Sequence, residues 1–210
     1  MNIKEVWRRL VHEEKSMASA NEVRKLCSQA GLDYENVVDY LQQAGYIDTV
    51  MREIFYIRTP REVELGYIDR PLNEIIGMAM EKRGISNWYF GLETALKYNH
   101  MTHQYFDITF IISDSYRTTK TVVMLGKRIK YHKWKSDLFT FGIKEKGVIR
   151  YSDAEKTLLD LAYRATYNGS DPVFTWYNYL EDYTKYDRKR MRTYLNKYPK
   201  SLQKVLKWEI

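Results

Sequence analysis

Three short apolar stripes at helical spacing, each with its own cap and all followed at once by two β-prone runs, leave the first 60 residues little choice of fold. Ile3, Val6, Trp7 and Leu10 form the first stripe, behind Asn2 and Glu5, which can cap its start. Ser19-Ala20-Asn21-Glu22 is a capping-box pattern, followed by Val23, Leu26, Cys27 and Ala30 and stopped by Gly31. Asp33 can cap a third helix that turns Tyr34, Val37, Val38 and Leu41 inward, and Gly45 closes it. Residues 46 to 50 and 54 to 58 are β-prone runs flanking Met51-Arg52-Glu53, which predicts a hairpin. The expectation is a winged helix-turn-helix domain over residues 1–60, with the hairpin as its wing.

In such a domain the third helix enters the major groove, so its outward side chains decide what it reads. Helical phase puts Glu35, Asn36, Asp39, Gln42 and Gln43 outward. Asn36, Gln42 and Gln43 can pair with adenine edges, and carboxylates can accept from cytosine. No Lys or Arg lies between Asp33 and Met51, so attraction to phosphate falls to Arg8, Arg9, Arg24, Lys25 and Arg52, or to the rest of the chain. The same acidic helix fits a protein-contact or dimerisation module.

Past a connecting segment ending at Asp69, Arg70-Pro71 starts a helix with Leu72, Ile75, Ile76 and Ala79 on its buried side. The stretch from Trp88 to Tyr98 suits a short buried helix in which Gly91 admits a close neighbour. Residues 106 to 112 are apolar enough on both faces for a central strand, and 121 to 125 predict another. Residues 127 to 135 then hold Lys127, Arg128, Lys130, Lys133 and Lys135 among Tyr131, His132 and Trp134. Read as a strand, this run places Arg128, Lys130, His132 and Trp134 on one face. Cations beside aromatic rings fit a nucleic-acid backbone, while a basic edge strand kept soluble by its lysines would have the same composition.

Strands are expected at 138 to 142 and 148 to 151, around a turn at 144 to 147. Ser152 and Glu155 have capping-box spacing ahead of Leu158, Leu161, Ala162 and Ala165. A helical tail follows, with starts at Pro172, Asp187 and Ser201 and a break at Pro199. Arg188, Lys189, Arg190 and Arg192 cluster in one of its turns, where they could face solvent, phosphate or an acidic partner.

The net charge of +7 is uneven. Residues 1 to 70 carry 10 Lys+Arg against 12 Asp+Glu, residues 71 to 150 carry 13 against 7, and residues 151 to 210 carry 11 against 8. The positive field thus belongs to the last two-thirds of the chain, as either a nucleic-acid footprint or a solvated surface. One cysteine, Cys27, excludes an intramolecular disulfide, and no apolar run approaches the ~20 residues of a membrane span, so a cytoplasmic protein is expected. There is no phosphate-binding Gly-rich loop, no Gly-x-Ser-x-Gly elbow and no Cys-x-x-Cys pair. His100 and His103 lack partners in sequence for a metal, and Asp107, Asp114 and Lys120 make an unpersuasive nuclease set. No enzyme activity and no cofactor are expected.

Two stretches together carry a resemblance. Tyr89-Phe90-Gly91-Leu92-Glu93-Thr94-Ala95-Leu96 precedes the β-rich segment, and Ser152-Asp153-Ala154-Glu155-Lys156-Thr157-Leu158-Leu159-Asp160 follows it. With the expected winged helix in front, the chain resembles the AbiEi-type antitoxin and transcriptional-regulator family of prokaryotic abortive-infection systems. That resemblance implies an α+β protein with the winged helix at 1–60 and a C-terminal antitoxin domain, a small sheet with a helical tail, at 61–210. It also implies a regulator, monomeric or homodimeric, that binds double-stranded DNA at its own operator. Its further partner would be a nucleotidyltransferase-like toxin that it counteracts. The expected DNA contacts are Arg24, Lys25, Asn36, Gln42, Gln43 and Arg52, joined by Lys127, Arg128, Lys130, Lys133 and Lys135.

Overall fold

The computed structural model describes residues 2 to 180 and 186 to 210. The chain divides into two compact units, Met1–Ser86 and Asn87–Ile210.

The first unit opens with α1 (Ile3–His12), α2 (Ala20–Ala30) and α3 (Tyr34–Gln43). Their caps form as the sequence predicts: Asn2 with Glu5 and Ser19 with Glu22 are complete capping boxes, and Asp33 accepts the Asn36 N–H. Val6, Leu10, Val23, Cys27, Val37 and Leu41 share one core with Phe55 and Ile57, each apolar burial contributing roughly 1.5–3 kcal/mol for a Val- or Leu-sized side chain. β2 (Ile47–Met51) and β3 (Ile54–Ile57) form the expected hairpin. A third strand, β1 (Met17–Ser19), pairs antiparallel with β3 and puts it in the centre, order β1-β3-β2. Three residues are too few to show a period, which is why patterning misses β1.

The expected boundary at residue 60 falls too early. All four residues of β3 are buried, so its sheet needs a cover on each face. Phe55 and Ile57 meet the three-helix core, and α5 (Leu72–Lys82), with Ile75, Ile76, Ala79 and Met80 buried, packs against all three strands. Between them lies α4 (Pro60–Leu65), where a connecting segment is expected. Its Glu62 is buried because the carboxylate accepts from the Tyr56 hydroxyl at 2.9 Å, from the Thr59 N–H at 2.9 Å and from the Asp69 N–H at 3.0 Å.

The second unit is built on β4 (Trp88–Phe90), β5 (Ile108–Ser113), β6 (Val122–Met124), β7 (Lys127–Lys133), β8 (Ile143–Lys146) and β9 (Ile149–Ser152). Their order is β6-β7-β5-β4-β9-β8, with β5 parallel to β7, β4 parallel to β9 and the other neighbours antiparallel. β5 is interior, as its two apolar faces predict. Residues 88 to 90, expected to be helical, are extended, and α6 (Leu92–Tyr98) starts only after Gly91. A Cβ on Gly91 would stand 2.6 Å from Ile112 Cγ1, so the glycine lets the crossing be this close. The strand expected at 138 to 142 is a 3-10 turn at Ser136–Phe139, and the turn expected at 144 to 147 is mostly β8, reversing at Gly147 with φ +59°.

Against the sheet lie α6 and α7 (Ala154–Tyr167), then α8 (Pro172–Leu180), α9 (Arg188–Leu195) and α10 (Lys200–Leu206). Tyr89, Leu96, Ile112, Leu158, Leu161, Trp176, Met191 and Leu202 are part of their common core. Asp187 caps α9 as predicted, whereas the N-cap position of α10 is Pro199 and not Ser201, which lies inside the helix. Among the described residues no helix is long and apolar enough to cross a membrane.

Candidate functional site

The exposed side of α3 carries Glu35, Asn36, Asp39 and Gln43, as helical phase predicts. Gln42 departs from the expectation. It is half-buried and donates its amide N–H to Thr49 Oγ1 in β2, so it ties the helix to the hairpin. Arg24 and Lys25 are exposed on α2, and the Arg24 guanidinium lies 4.5 Å from the Tyr34 ring centroid, which sets a cation at the start of α3. Arg52 is exposed in the two-residue hairpin turn, where its carbonyl accepts from Arg83 Nη1. This wing is short. Residues 1 to 86 hold 12 Lys+Arg against 14 Asp+Glu, a net of −2 for the unit that carries α3.

In the second unit, Lys127, Arg128, Lys133 and Lys135 are exposed along β7 and just past it. β7 is not an edge strand: β6 covers its outer side, so solubility of a bare edge does not explain its charge. Two of the expected contacts have other work. Arg128 is paired with Asp107 at 2.8 Å, and the Lys130 ammonium donates to the carbonyls of Thr118 at 2.9 Å and Thr119 at 2.6 Å, pinning the preceding loop. His132, on the same face, has a buried Nε2 without a hydrogen-bond partner. Burial, then the charges of Arg164 and Lys130, push its pKa down to about 4, so the ring is neutral at pH 7. Of the acidic candidates for a nuclease, Asp107 is spent on Arg128 and Asp114 accepts from Asn87 at 2.7 Å.

The second motif is the least exposed polar stretch among the described residues. Ser152, Asp153, Glu155, Lys156, Thr157 and Asp160 are all buried. The capping box expected of Ser152 and Glu155 does not form. Ser152 ends β9 and shares a 2.7 Å hydrogen bond with the Thr157 hydroxyl, while Asp153 caps α7 by accepting the Lys156 N–H. The carboxylates of the motif hold the tail: Asp153 accepts from Tyr194 at 2.9 Å with its second oxygen, Glu155 from the Asp187 N–H at 2.8 Å, and Asp160 from Tyr198. Asp160 also accepts from Tyr89 at 2.9 Å and faces the Lys156 ammonium at 3.2 Å. That ammonium is boxed by the rings of Tyr89, Phe141 and Tyr198, with centroids at 4.8, 4.6 and 5.6 Å. Burial lowers the pKa of Lys156 and raises that of Asp160, and their mutual attraction opposes both shifts. The sequence spacing identifies the motif, but the partners on α9 and just outside its two ends are 32 to 41 residues away and leave no local signal.

The two units define a mixed α+β protein with a small antiparallel sheet in the first and a six-stranded mixed sheet in the second. No family model and no curated protein matches the sequence. Among solved structures the fold is similar to the crystal structure of the Rv2827c protein from Mycobacterium tuberculosis, with a TM-score of 0.57 and 11% sequence identity over 94% of this chain and 72% of that one. Likeness at that identity establishes the fold alone.

Proposed function

We propose that this chain is a DNA-binding transcriptional regulator that represses its own operon, with α3 as the reading helix of a winged helix and the β2–β3 hairpin as its wing. The observation that carries this is the exposed amide pair, Asn36 and Gln43, on a helix whose start is flanked by Arg24. Lys25, Arg52, Lys127, Lys133 and Lys135 add exposed cations for phosphate. By the two motifs that resemble those of the AbiEi-type family, it would also serve as the antitoxin to a nucleotidyltransferase-like toxin, acting in the cytoplasm.

Binding to the duplex upstream of its own gene is to be measured against a scrambled duplex across a salt series. The reading expects preferential binding, with log K falling linearly in log salt and the slope shrinking by about 1 for each phosphate-contacting Lys or Arg removed. Arg24→Ala with Lys25→Ala should weaken both duplexes, and Asn36→Ala should erase the preference. Equal or absent binding to both duplexes sinks autorepression. For the antitoxin half, co-expression with the neighbouring toxin-like gene should restore growth, and unrelieved toxicity refutes it.

A second reading has its own observation. Exposed Glu35 and Asp39 on α3, in a unit of net charge −2, oppose phosphate and favour a protein-contact surface. It expects no salt-sensitive DNA binding by the full chain.

A further inference from the structure

A cleft of about 470 Å³ opens in the second unit between the segment after α6, the end of α7 and the outer side of α8. Its volume is within the range of small-molecule sites, roughly 300–1,000 Å³. Among the described residues of its wall Arg164 is the one cationic side chain, and that charge is already matched. The guanidinium donates two hydrogen bonds to the two oxygens of Glu93, one at 2.8 Å, and lies 5.2 Å from the Phe110 ring centroid. Glu93 is 8% exposed and also accepts from the Tyr179 hydroxyl at 3.3 Å. Asp171, at the start of α8, accepts the N–H groups of Val173 and Phe174 on one oxygen, at 2.8 and 3.3 Å, leaving the other for a ligand. Arg164, Glu93 and Asp171 together sum to −1, and His132 nearby is neutral. This balance disfavours phosphate and other anions.

What remains on the wall suits a flat, uncharged molecule with donors and acceptors on its edge. Phe174 lines the cleft and is 65% exposed as a residue, offering an apolar ring that a stacked ring would take out of water. Gln104 and Asn178, both exposed, each offer a donor beside an acceptor, the pairing that amide side chains make with the edge of a nucleobase. A carboxylate with a free oxygen is the usual acceptor for ribose hydroxyls. We propose that this cleft binds a nucleoside, with its base stacked on Phe174 and its edge held by Gln104 and Asn178, while its ribose donates to Asp171. The proposal stands on the second unit alone and survives or fails independently of operator binding.

Calorimetric titration of the full chain with adenosine, guanosine, cytidine and uridine tests it, with inorganic phosphate and glucose as comparators. At least one nucleoside should bind with a Kd below about 1 mM. Phe174→Ala should weaken it on the order of tenfold, the usual size of a lost base–aromatic stack. Asn178→Ala should weaken it too. Both side chains are exposed, so unchanged thermal melting of the variants separates lost binding from lost folding. The proposal is overturned by no binding of any nucleoside up to about 5 mM, by phosphate or glucose binding in their place, or by unchanged affinity in both variants.

Discussion

Lys156 and Asp160 are fully buried, and their side chains are each other's counter-ion. Removing one member of such a pair leaves the other charge without compensation, so Asp160→Asn or Lys156→Ala should destabilise the second unit by about 3–5 kcal/mol in chemical denaturation. The double variant Lys156→Met/Asp160→Leu should lose less than the two single losses added, because no lone charge is left behind. Strict additivity would mean that the ammonium and carboxylate do not depend on each other. His132 gives a second test at this scale. Its folded pKa of about 4 lies below the ordinary 6.5, so the unfolded state binds the proton more readily. Its contribution is complete above pH 6.5 and is lost between pH 6.5 and 4, at most on the order of 3 kcal/mol before solvent screening of the partly exposed ring. Replacement by Gln should flatten that part of the stability–pH curve, and an unchanged slope would assign the acid sensitivity elsewhere.

At the scale of elements, caps carry the clearest link from sequence to stability. Burial alone would raise the pKa of Glu22, but the Lys82 ammonium and Ser19 overcome it and hold the carboxyl down to about 2. Glu22 accepts the Ser19 N–H at 2.8 Å and pairs with Lys82 at 2.7 Å, so one side chain both caps α2 and fastens it to α5 within the first unit. A depressed carboxyl stabilises above pH 4.5 and loses that contribution as pH falls towards 2. Glu22→Gln should lower the melting temperature at pH 7 by the equivalent of about 1 kcal/mol and have little effect near pH 2. A variant as stable as the parent at pH 7 would show that the cap and the ion pair are incidental. On α9, the start at Asp187 was legible from the sequence. The fastening of that helix and the turn after it to α7 by Asp153, Glu155 and Asp160 was not, because hydrogen bonds between distant segments leave no periodic trace.

For the whole molecule, the sequence alone determined the three capped helices, the hairpin, the interior strand β5 and the uneven charge. Each is set within a few residues, by side-chain oxygens facing orphan N–H groups or by apolar residues repeating at 3.6 or 2. It also marked the two motifs that flank the large sheet. Tertiary structure decided everything that needs a partner far along the chain. β1 is a strand only because β3 is there to pair with it, and the first unit runs to Ser86 because both faces of its sheet must be covered. Trp88–Phe90 is extended because β5 and β9 flank it. Lys130 and Gln42 are polar by sequence, yet the fold commits the first to two loop carbonyls and the second to Thr49. A buried ammonium such as that of Lys156 is stable only once an aspartate and three rings surround it, and only the folded chain brings those groups together.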